Sequence, residues 1–373
     1  MKIAVIGAGI GGLTTALCLE NLGISVNLYE QAEVMKDIGA GIILAHNAMQ
    51  VYDHLGLKND ITQSGNALSS TKITTPELNA ISTIDIAQFD AQYGVSSIAI
   101  HRATLMQLLT SRLKSSDIQT NKKLISIEPG QKATLTFDDA STESFDIVLA
   151  ADGLNSVTRQ LLFPDSVTRS ANQMCWRGIS DFELPVELIS ELNESWGKDS
   201  RFGFVSIGPD KVYWYALTAA DSADAGLPEV FHEDYAPIIS NIISNTRESQ
   251  IHLDQIRDLK PISNWHLNNV CLLGDAAHAT TPNMGQGACQ AIEDAHILSQ
   301  CIQKYPLAEA FQHYQRLRMS KAHKIVKTSW VLGKLAHLKN PVLSTLRNFM
   351  LRHTPAKLNT KQLASILTLA KVD

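Results

Sequence analysis

A glycine-rich turn near the start of the chain has the composition to bind the phosphates of a dinucleotide. It contains Gly7, Gly9, Gly11 and Gly12 in a GxGxxG pattern, and Glu30 follows at the distance expected of a ribose-binding acid. Gly7 permits a tight turn, Gly9 lets the backbone approach a pyrophosphate, and Gly12 allows close helix packing. The N–H groups at the helix start would face the phosphates, and Glu30 would accept hydrogen bonds from a ribose diol. The pattern leaves FAD and NAD both open.

A second segment places polar groups directly after an apolar run. Residues 146–151 are mostly apolar and lead into Asp152 and Gly153. Gly153 permits an unusual backbone turn, and Ser156 or Asn155 can cap the helix that begins nearby. On residue types alone, the segment is a capped loop.

A third segment repeats this arrangement in a longer form. The apolar run 270–273 leads into Gly274 and Asp275, whose carboxylate can bind polyol hydroxyls. The loop and helix start that follow contain Pro282, Gly285, Gln286, Gly287 and Ala288. Its glycines can open a helix whose N–H groups face an anion. His278 also lies here, and packing or hydrogen bonding within the loop is favoured over a general-base role.

Hydrophobic patterning predicts the elements that must position these turns. Residues 3–6 form a short buried strand, residues 13–22 an apolar-faced helix capped by Gly23, and residues 25–30 a second strand. This βαβ opening predicts a parallel sheet with helices on its faces, and hence an α/β fold. Alternating, aromatic-rich segments at 201–205 and 211–217 instead predict antiparallel strands.

Composition limits the classes of protein that fit. The chain has 373 residues, 45% of them hydrophobic and 18% charged, which is typical of two globular domains. A formal charge of −5 argues against a nucleic-acid partner. The five scattered cysteines predict neither a disulfide framework nor a metal site. Glycines interrupt the apolar start, and no other apolar run is long enough to span a bilayer, so we expect a cytoplasmic protein without stable membrane insertion.

Taken in order, these motifs resemble those of the single-component FAD-dependent aromatic-ring hydroxylases. Asp152 and Gly153 with Ser156 and Arg159 are similar to that family's Asp-Gly motif, which is implicated in binding FAD and NAD(P)H. The segment from Gly274 is similar to its Gly-Asp motif, in which the Asp binds the ribityl chain of FAD and the helix end lies by the flavin ring. The resemblance covers almost the whole chain.

Two further positions enter through the resemblance, and two others depart from it. Arg102 stands where the family carries an arginine at a helix start in contact with the cofactor, and Gly41 lies within the resembling segment 3–47. Gln31 stands where many relatives have Arg, which affects a contact to the adenosine. His46 stands where Pro is usual, which affects the shape of the wall near the flavin.

The resemblance implies a Rossmann-like FAD-binding domain with an interleaved antiparallel-sheet substrate domain, an α+β unit, and C-terminal helices. The expected FAD-binding domain comprises residues 1–70, 101–170 and 263–325, and the substrate domain residues 71–100 and 171–262. Residues 326–373 form the C-terminal helical segment. A basic amphipathic helix on a membrane surface is the alternative for that segment.

The implied activity is hydroxylation of a small aromatic or heteroaromatic substrate with O2 and NADPH or NADH, through a C4a-hydroperoxyflavin. Arg201 and Tyr213 lie on strands that form the sheet above the flavin in this family, so they are the candidates for orienting the substrate. An FAD-dependent epoxidase or antibiotic-modifying monooxygenase, an NAD-linked dehydrogenase and a non-catalytic flavin-binding sensor or scaffold are the alternatives. The oligomeric state is left as monomer or homodimer.

Overall fold

The computed structural model describes residues 1–35, 40–220 and 227–372. The strands are β1 (Ile3–Ile6), β2 (Asn27–Tyr29), β3 (Gly41–Leu44), β4 (Asn66–Leu68), β5 (Ser70–Thr74), β6 (Ala80–Asp85), β7 (Ser97–His101), β8 (Asp117–Gln119), β9 (Leu124–Glu128), β10 (Ala133–Phe137), β11 (Thr142–Phe145), β12 (Ile147–Ala150), β13 (Thr168–Asp181), β14 (Glu191–Trp196), β15 (Ser200–Gly208), β16 (Lys211–Ala219), β17 (His252–Leu259), β18 (His266–Leu267) and β19 (Val270–Leu272). The helices are α1 (Ile10–Glu20), α2 (His46–His54), α3 (Lys58–Ser64), α4 (Asp90–Tyr93), α5 (Arg102–Arg112), α6 (Val157–Leu162), α7 (Val186–Ile189), α8 (Val230–Glu233), α9 (Pro237–Ser244), α10 (Asp275–His278), α11 (Gly287–Lys304), α12 (Leu307–Ala336), α13 (Pro341–Arg352) and α14 (Ala356–Leu367).

A six-stranded sheet carries the three motif-bearing turns. Its order is β18-β19-β12-β1-β2-β8, and all neighbours run parallel except the β18–β19 pair at one edge. Strands β1, β12 and β19 consist entirely of buried apolar residues, as expected of strands covered on both faces. The predicted α/β class is therefore confirmed.

The predicted N-terminal elements are present with shifted ends. Helix α1 begins at Ile10, directly after the glycine turn, and ends at Glu20, earlier than the predicted Leu22. Asn21 rather than Gly23 caps it, while Gly23 takes a positive φ of 77° as the chain turns towards β2. The strand predicted over 25–30 is shorter, because only residues 27–29 pair within the sheet.

A seven-stranded sheet forms the other large layer. Its order is β17-β13-β16-β15-β14-β5-β6, and its neighbours are antiparallel except β14 and β5. The strands come from residues 70–85 and 168–259, which interrupt the segments that build the six-stranded sheet. Phe202, Phe204 and Trp214 point to one side, into a separate apolar core. The interleaving agrees with the predicted arrangement, and the domain boundaries themselves stay a prediction.

Long helices close the C-terminal part of the structure. Helix α11 packs along α1 and α12, and α13 and α14 pack near β6. Over the described ranges, none of the helices has the length and apolar character needed to traverse a lipid bilayer.

Candidate active site

The turns after β1, β12 and β19 meet at one edge of the parallel sheet. These strands are neighbours, so their carboxyl ends lie side by side. The N–H of Leu273 donates to the carbonyl of Ala150 at 2.9 Å. The buried guanidinium of Arg159 donates through Nη1 to the carbonyl of Ala276 at 3.1 Å, which ties the second turn to the third.

Close backbone approach in the first turn explains its glycines. A Cβ on Gly12 would lie 1.9 Å from the carbonyl oxygen of Gly7, so no larger residue fits without separating α1 from the turn. Gly7 has φ +96°, which favours glycine, and its Cβ position lies 2.6 Å from the oxygen of Ala151. Glu30 accepts hydrogen bonds from the N–H groups of Ala8 and Ala32, both at 2.9 Å, which fixes its carboxylate beside the turn.

A cavity of about 750 Å³ opens where the three turns meet the seven-stranded sheet. Thirteen of the seventeen predicted site residues line it: Gly9, Gly11, Gly41, Arg102, Gly153, Arg201, Tyr213, Asp275, Pro282, Gly285, Gln286, Gly287 and Ala288. The other four, Gly7, Gly12, Glu30 and Asp152, are not among the lining residues.

The carboxylate of Asp152 is engaged within its own turn. It accepts hydrogen bonds from the hydroxyl of Ser156 at 2.6 Å and from the N–H of Thr158 at 3.0 Å. Ser156 in turn caps α6 by accepting from the N–H of Arg159. Burial raises the pKa of Asp152 above its ordinary value, against these hydrogen bonds. Through this network Asp152 shapes the turn that presents Gly153 to the cavity.

Asp275 and the start of α11 form the third turn's contribution. The Asp275 side chain faces the open cavity while protein surrounds it elsewhere, and this partial burial raises its pKa, opposed by His278, Arg102 and Arg159. Helix α11 begins at Gly287, as predicted, and the Cβ position of that glycine lies 3.8 Å from an Asp275 oxygen. A carboxylate and the N–H groups of a long helix thus face the same space.

The seven-stranded sheet supplies the opposite wall. Tyr213 lies directly against β3, since a Cβ on Gly41 would be 2.4 Å from the tyrosine ring. Tyr215 on β16 reaches across the neighbouring strand β15, and its hydroxyl donates to Glu194 on β14 at 2.6 Å. Gly203 lies between them in register, and its Cβ position is only 2.1 Å from the Tyr215 ring. Glycine at this position therefore permits the tyrosine–glutamate contact.

Arg201 is buried, and its guanidinium bonds to three protein side chains. Nε donates to His337 at 3.0 Å, Nη1 to Glu194 at 3.1 Å and Nη2 to Asn283 at 2.7 Å. Burial lowers the pKa of His337 to about 3, assisted by the charge of Arg201, so this histidine is neutral and accepts through Nε2. The arginine thereby joins the sheet to the loop before α11 and to the end of α12.

Several lining residues with polar side chains were missed from the sequence, including Arg177, Glu194 and His46. Arg177 forms an ion pair with Asp254 and interacts with the Tyr213 hydroxyl. Glu194 pairs with Arg201 and accepts the hydrogen bond from Tyr215. The two-residue period was the available signal, because Cys175 and Arg177 on β13 face the cavity together, as do Leu192, Glu194 and Trp196 on β14.

His46, the third of these, had been noted only as a departure from the family pattern. It is fully buried, and its ring nitrogens contact Asp90 at 2.8 Å and Ser97 at 3.0 Å. His278 is also buried, with its Nε2 2.5 Å from Asp294 and its ring against Trp265. Hydrogen bonding and packing thus account for His278, which was the favoured interpretation.

The glycine-lined part of this cavity fits a bound dinucleotide. Space is open at the Cβ positions of Gly9, Gly153 and Gly285, so a ligand can approach the backbone of all three turns. In the portions of the chain that are described, no group of three or more His, Cys, Asp or Glu side chains could hold a metal ion. A parallel sheet with a glycine-rich turn after its first strand, combined with an antiparallel sheet over the same cavity, defines a dinucleotide-binding protein.

The comparisons with known proteins identify the family. Residues 1–327 match the family described as FAD binding domain, so the chain belongs to this family and its cofactor is FAD. It is 32% identical over 361 residues to aurachin C monooxygenase/isomerase of Stigmatella aurantiaca, with 94% of each chain covered. It is 29% identical to 2-heptyl-3-hydroxy-4(1H)-quinolone synthase of Pseudomonas aeruginosa, covering 95% of this chain and 94% of that protein.

A solved structure extends this similarity to the fold. The structure of Klebsiella pneumoniae HpxO complexed with FAD and uric acid superposes with a TM-score of 0.88 at 25% identity, covering 99% of this chain and 97% of that one. The chain is thus an FAD-dependent oxidoreductase of the monooxygenase and hydroxylase type, as the motifs predicted.

Proposed function

We propose that this protein hydroxylates a neutral, largely apolar aromatic or heteroaromatic ring, using NADPH or NADH and O2. Bound FAD would supply the redox and oxygen chemistry, and the protein would position the two reactants. The observation that carries the substrate class is the pairing of Arg201 with Glu194, His337 and Asn283.

The pairing of Arg201 bears on the charge of the substrate. A buried arginine that already binds a carboxylate attracts a second anion weakly, because its charge is balanced locally. The cavity wall beyond it is formed mainly by aliphatic side chains: Leu68, Ile73, Ile84, Ile86, Leu192, Leu332, Leu363 and Leu367. Such a wall favours an alkyl substituent over a second acidic group. The two curated relatives named above support this class, since one is named for a quinolone that carries a heptyl chain.

On this proposal the two sides of the cavity have different tasks. Eleven of the lining residues, all of the thirteen except Arg201 and Tyr213, hold FAD together with Gly7, Gly12, Glu30 and Asp152, and Arg102 and Asp275 are its charged contacts. Tyr213 and the Arg201–Glu194 pair orient the ring of the substrate. Burial raises the pKa of Tyr213, so its phenol stays protonated at neutral pH and donates a hydrogen bond rather than acting as a base.

The experiment is a screen for ligand-stimulated NAD(P)H oxidation by the FAD-loaded enzyme, with hydrogen peroxide and hydroxylated product both measured. We expect coupled turnover with a 4-quinolone carrying a 2-alkyl chain and little stimulation by urate or hydroxybenzoates. Leu192→Glu in the apolar wall should raise KM for the alkyl substrate at least tenfold, whereas Leu253→Glu on an exposed position should not. Coupled turnover with aromatic acids alone would reject the neutral substrate class.

The same screen separates the remaining alternatives. An epoxidase or antibiotic-modifying monooxygenase would give a different product with the same NAD(P)H and oxygen consumption. A sensor or scaffold would bind FAD but would show no stimulated oxidation with any ligand. The presence of FAD with NAD(P)H oxidation would exclude the simple NAD-linked dehydrogenase.

A further inference from the structure

Helix α13 turns an apolar face towards solvent. Val342, Leu343, Leu346, Phe349 and Met350 are each between 49 and 73% exposed. At about 100° per residue, their spacing places all five within roughly one third of the helix circumference. A contiguous exposed apolar surface of this kind usually marks a binding site.

Polar contacts on the opposite side fix this orientation. Arg347 is buried, and its Nη1 donates to the carbonyls of Leu335 and Ala336 at 2.9 and 3.1 Å, at the end of α12. Its guanidinium also lies 4.8 Å from the ring centroid of Trp196. The helix therefore buries its arginine and exposes its leucines, the reverse of a helix that packs on a core.

The charge of the surrounding segment is strongly one-sided. Residues 310–372 contain twelve Lys and Arg and no Asp or Glu, whereas residues 1–309 contain 20 Lys and Arg and 36 Asp and Glu. Arg318, Lys321 and Arg347 are engaged inside the fold, and Lys339 pairs with Asp199. Exposed Lys334 lies in the last turn of α12, which precedes α13, and exposed Arg352 is the last residue of α13. A segregation of charge of this kind points to an anionic partner surface.

We propose that α13 docks on the surface of a lipid bilayer that contains anionic phospholipids. The five apolar side chains would enter the headgroup region, and the flanking cations would face the lipid phosphates. Each cation near such a surface contributes about a fivefold increase in binding. The helix lies on the membrane in this proposal and does not cross it.

The buried side of α13 adjoins the apolar wall of the cavity. Leu332 of α12 and Leu363 and Leu367 of α14 line the cavity, and α13 connects these two helices in the sequence. Trp196 lines the cavity on one side and contacts Arg347 on the other. If the proposed apolar substrate class holds, docking would bring the cavity to a bilayer in which such a substrate dissolves. Docking itself does not depend on that class.

Vesicle flotation of the FAD-loaded protein tests this proposal. Vesicles of phosphatidylglycerol and phosphatidylethanolamine should carry the wild type upward at 0.1 M salt, and vesicles of phosphatidylcholine alone should not. Phe349→Glu should weaken vesicle binding at least tenfold. The double variant Lys334→Glu/Arg352→Glu should weaken it by a similar factor, and high salt should weaken binding of the wild type to the same extent. Val186→Glu, at an exposed apolar position elsewhere, should bind like the wild type. FAD content shows that each variant is folded.

Several results would overturn docking whatever the activity of the enzyme. Failure of the wild type to float with anionic vesicles at low salt is one, and equal flotation of the Phe349→Glu variant is another. Light scattering supplies a third. A wild-type dimer that Phe349→Glu converts to monomer, without vesicle binding by either, would assign the face to a second copy of this chain.

Discussion

Replacing Arg318 with leucine removes the positive centre of a buried charge cluster beneath the cofactor turns. Arg318 is fully buried on α12 and bonds to Glu293 at 2.5 Å and to Asp294 at 2.8 Å. Asp294 also accepts from the N–H of Gly274 at 2.9 Å and contacts His278. The cluster therefore connects α12 to α11 and to the turn that presents Asp275.

The expected cost follows from the charges left behind. Leucine cannot compensate two buried carboxylates, although Lys321 still holds Glu293 and His278 still holds Asp294. Breaking a buried pair from one side costs about 3–5 kcal/mol. With an unfolding entropy of about 2.1 cal/mol/K per residue, this amounts to a fall in Tm of roughly 4–6 °C for a chain of 373 residues.

Thermal unfolding at pH 8 and pH 5 separates this mechanism from a simple packing defect. Burial tends to raise the pKa of Asp294, but His278 and Arg318 hold it at about 2. We expect the loss of Arg318 to raise that pKa above its unfolded value, because burial then outweighs the remaining contacts, so the variant should gain stability relative to the wild type as the pH falls. Arg316→Leu, an exposed cation on the same helix, is the control and should leave Tm unchanged. An equal Tm loss at both pH values would refute the reasoning.

Three further predictions rest on single contacts. Gly12→Ala should separate α1 from the first turn, lowering stability by about 1–3 kcal/mol and FAD occupancy with it, as measured by absorbance per chain. Gly203→Val should displace Tyr215 from Glu194, so its effect on substrate KM should match that of Tyr215→Phe while FAD remains bound. The folded pKa of His337 is about 3, which is below its unfolded value. As the pH falls from about 6.5, the free energy of unfolding of the wild type should therefore decrease by up to about 1.4 kcal/mol per pH unit. Urea titrations should show a flatter slope for His337→Gln.

The glycine-rich turns on the proposed cofactor side were predictable because backbone requirements leave a local signature. A positive φ at Gly7 and the close approach at Gly12 can be met by few residues other than glycine, so the motif is visible in the sequence. The start of α11 near Gly287 was anticipated from its glycines, and the start of α5 at Arg102 from the family resemblance. The engagement of Asp152 within its own turn was not, because nothing in the spacing distinguishes a carboxylate that caps a helix from one that binds a ligand.

The substrate side was less predictable because its contacts join residues distant in sequence. Arg201 reaches His337 across 136 positions, and Asn283 across 82. Alternation alone assigns Arg177 and Glu194 to a face of the sheet, but only the packing of the two sheets decides which face meets the cavity. Tyr213 and Tyr215 illustrate this, since Trp214 between them belongs to the opposite core.

This difference between the two sides bears on how the substrate class can change within such a fold. The FAD side is held by backbone geometry and by the Arg318 cluster, so substitutions there affect folding and cofactor together. On the substrate side, side chains from separate strands meet over Gly203, so a single exchange at Glu194 or Tyr215 alters the wall without disturbing the turns. Neutralising Glu194 would release the charge of Arg201 to the cavity. A Glu194→Gln variant should therefore bind aromatic acids more tightly than the wild type does, with FAD content unchanged. Weaker or equal binding would contradict the local balance of charge between Arg201 and Glu194 that the neutral-substrate proposal requires.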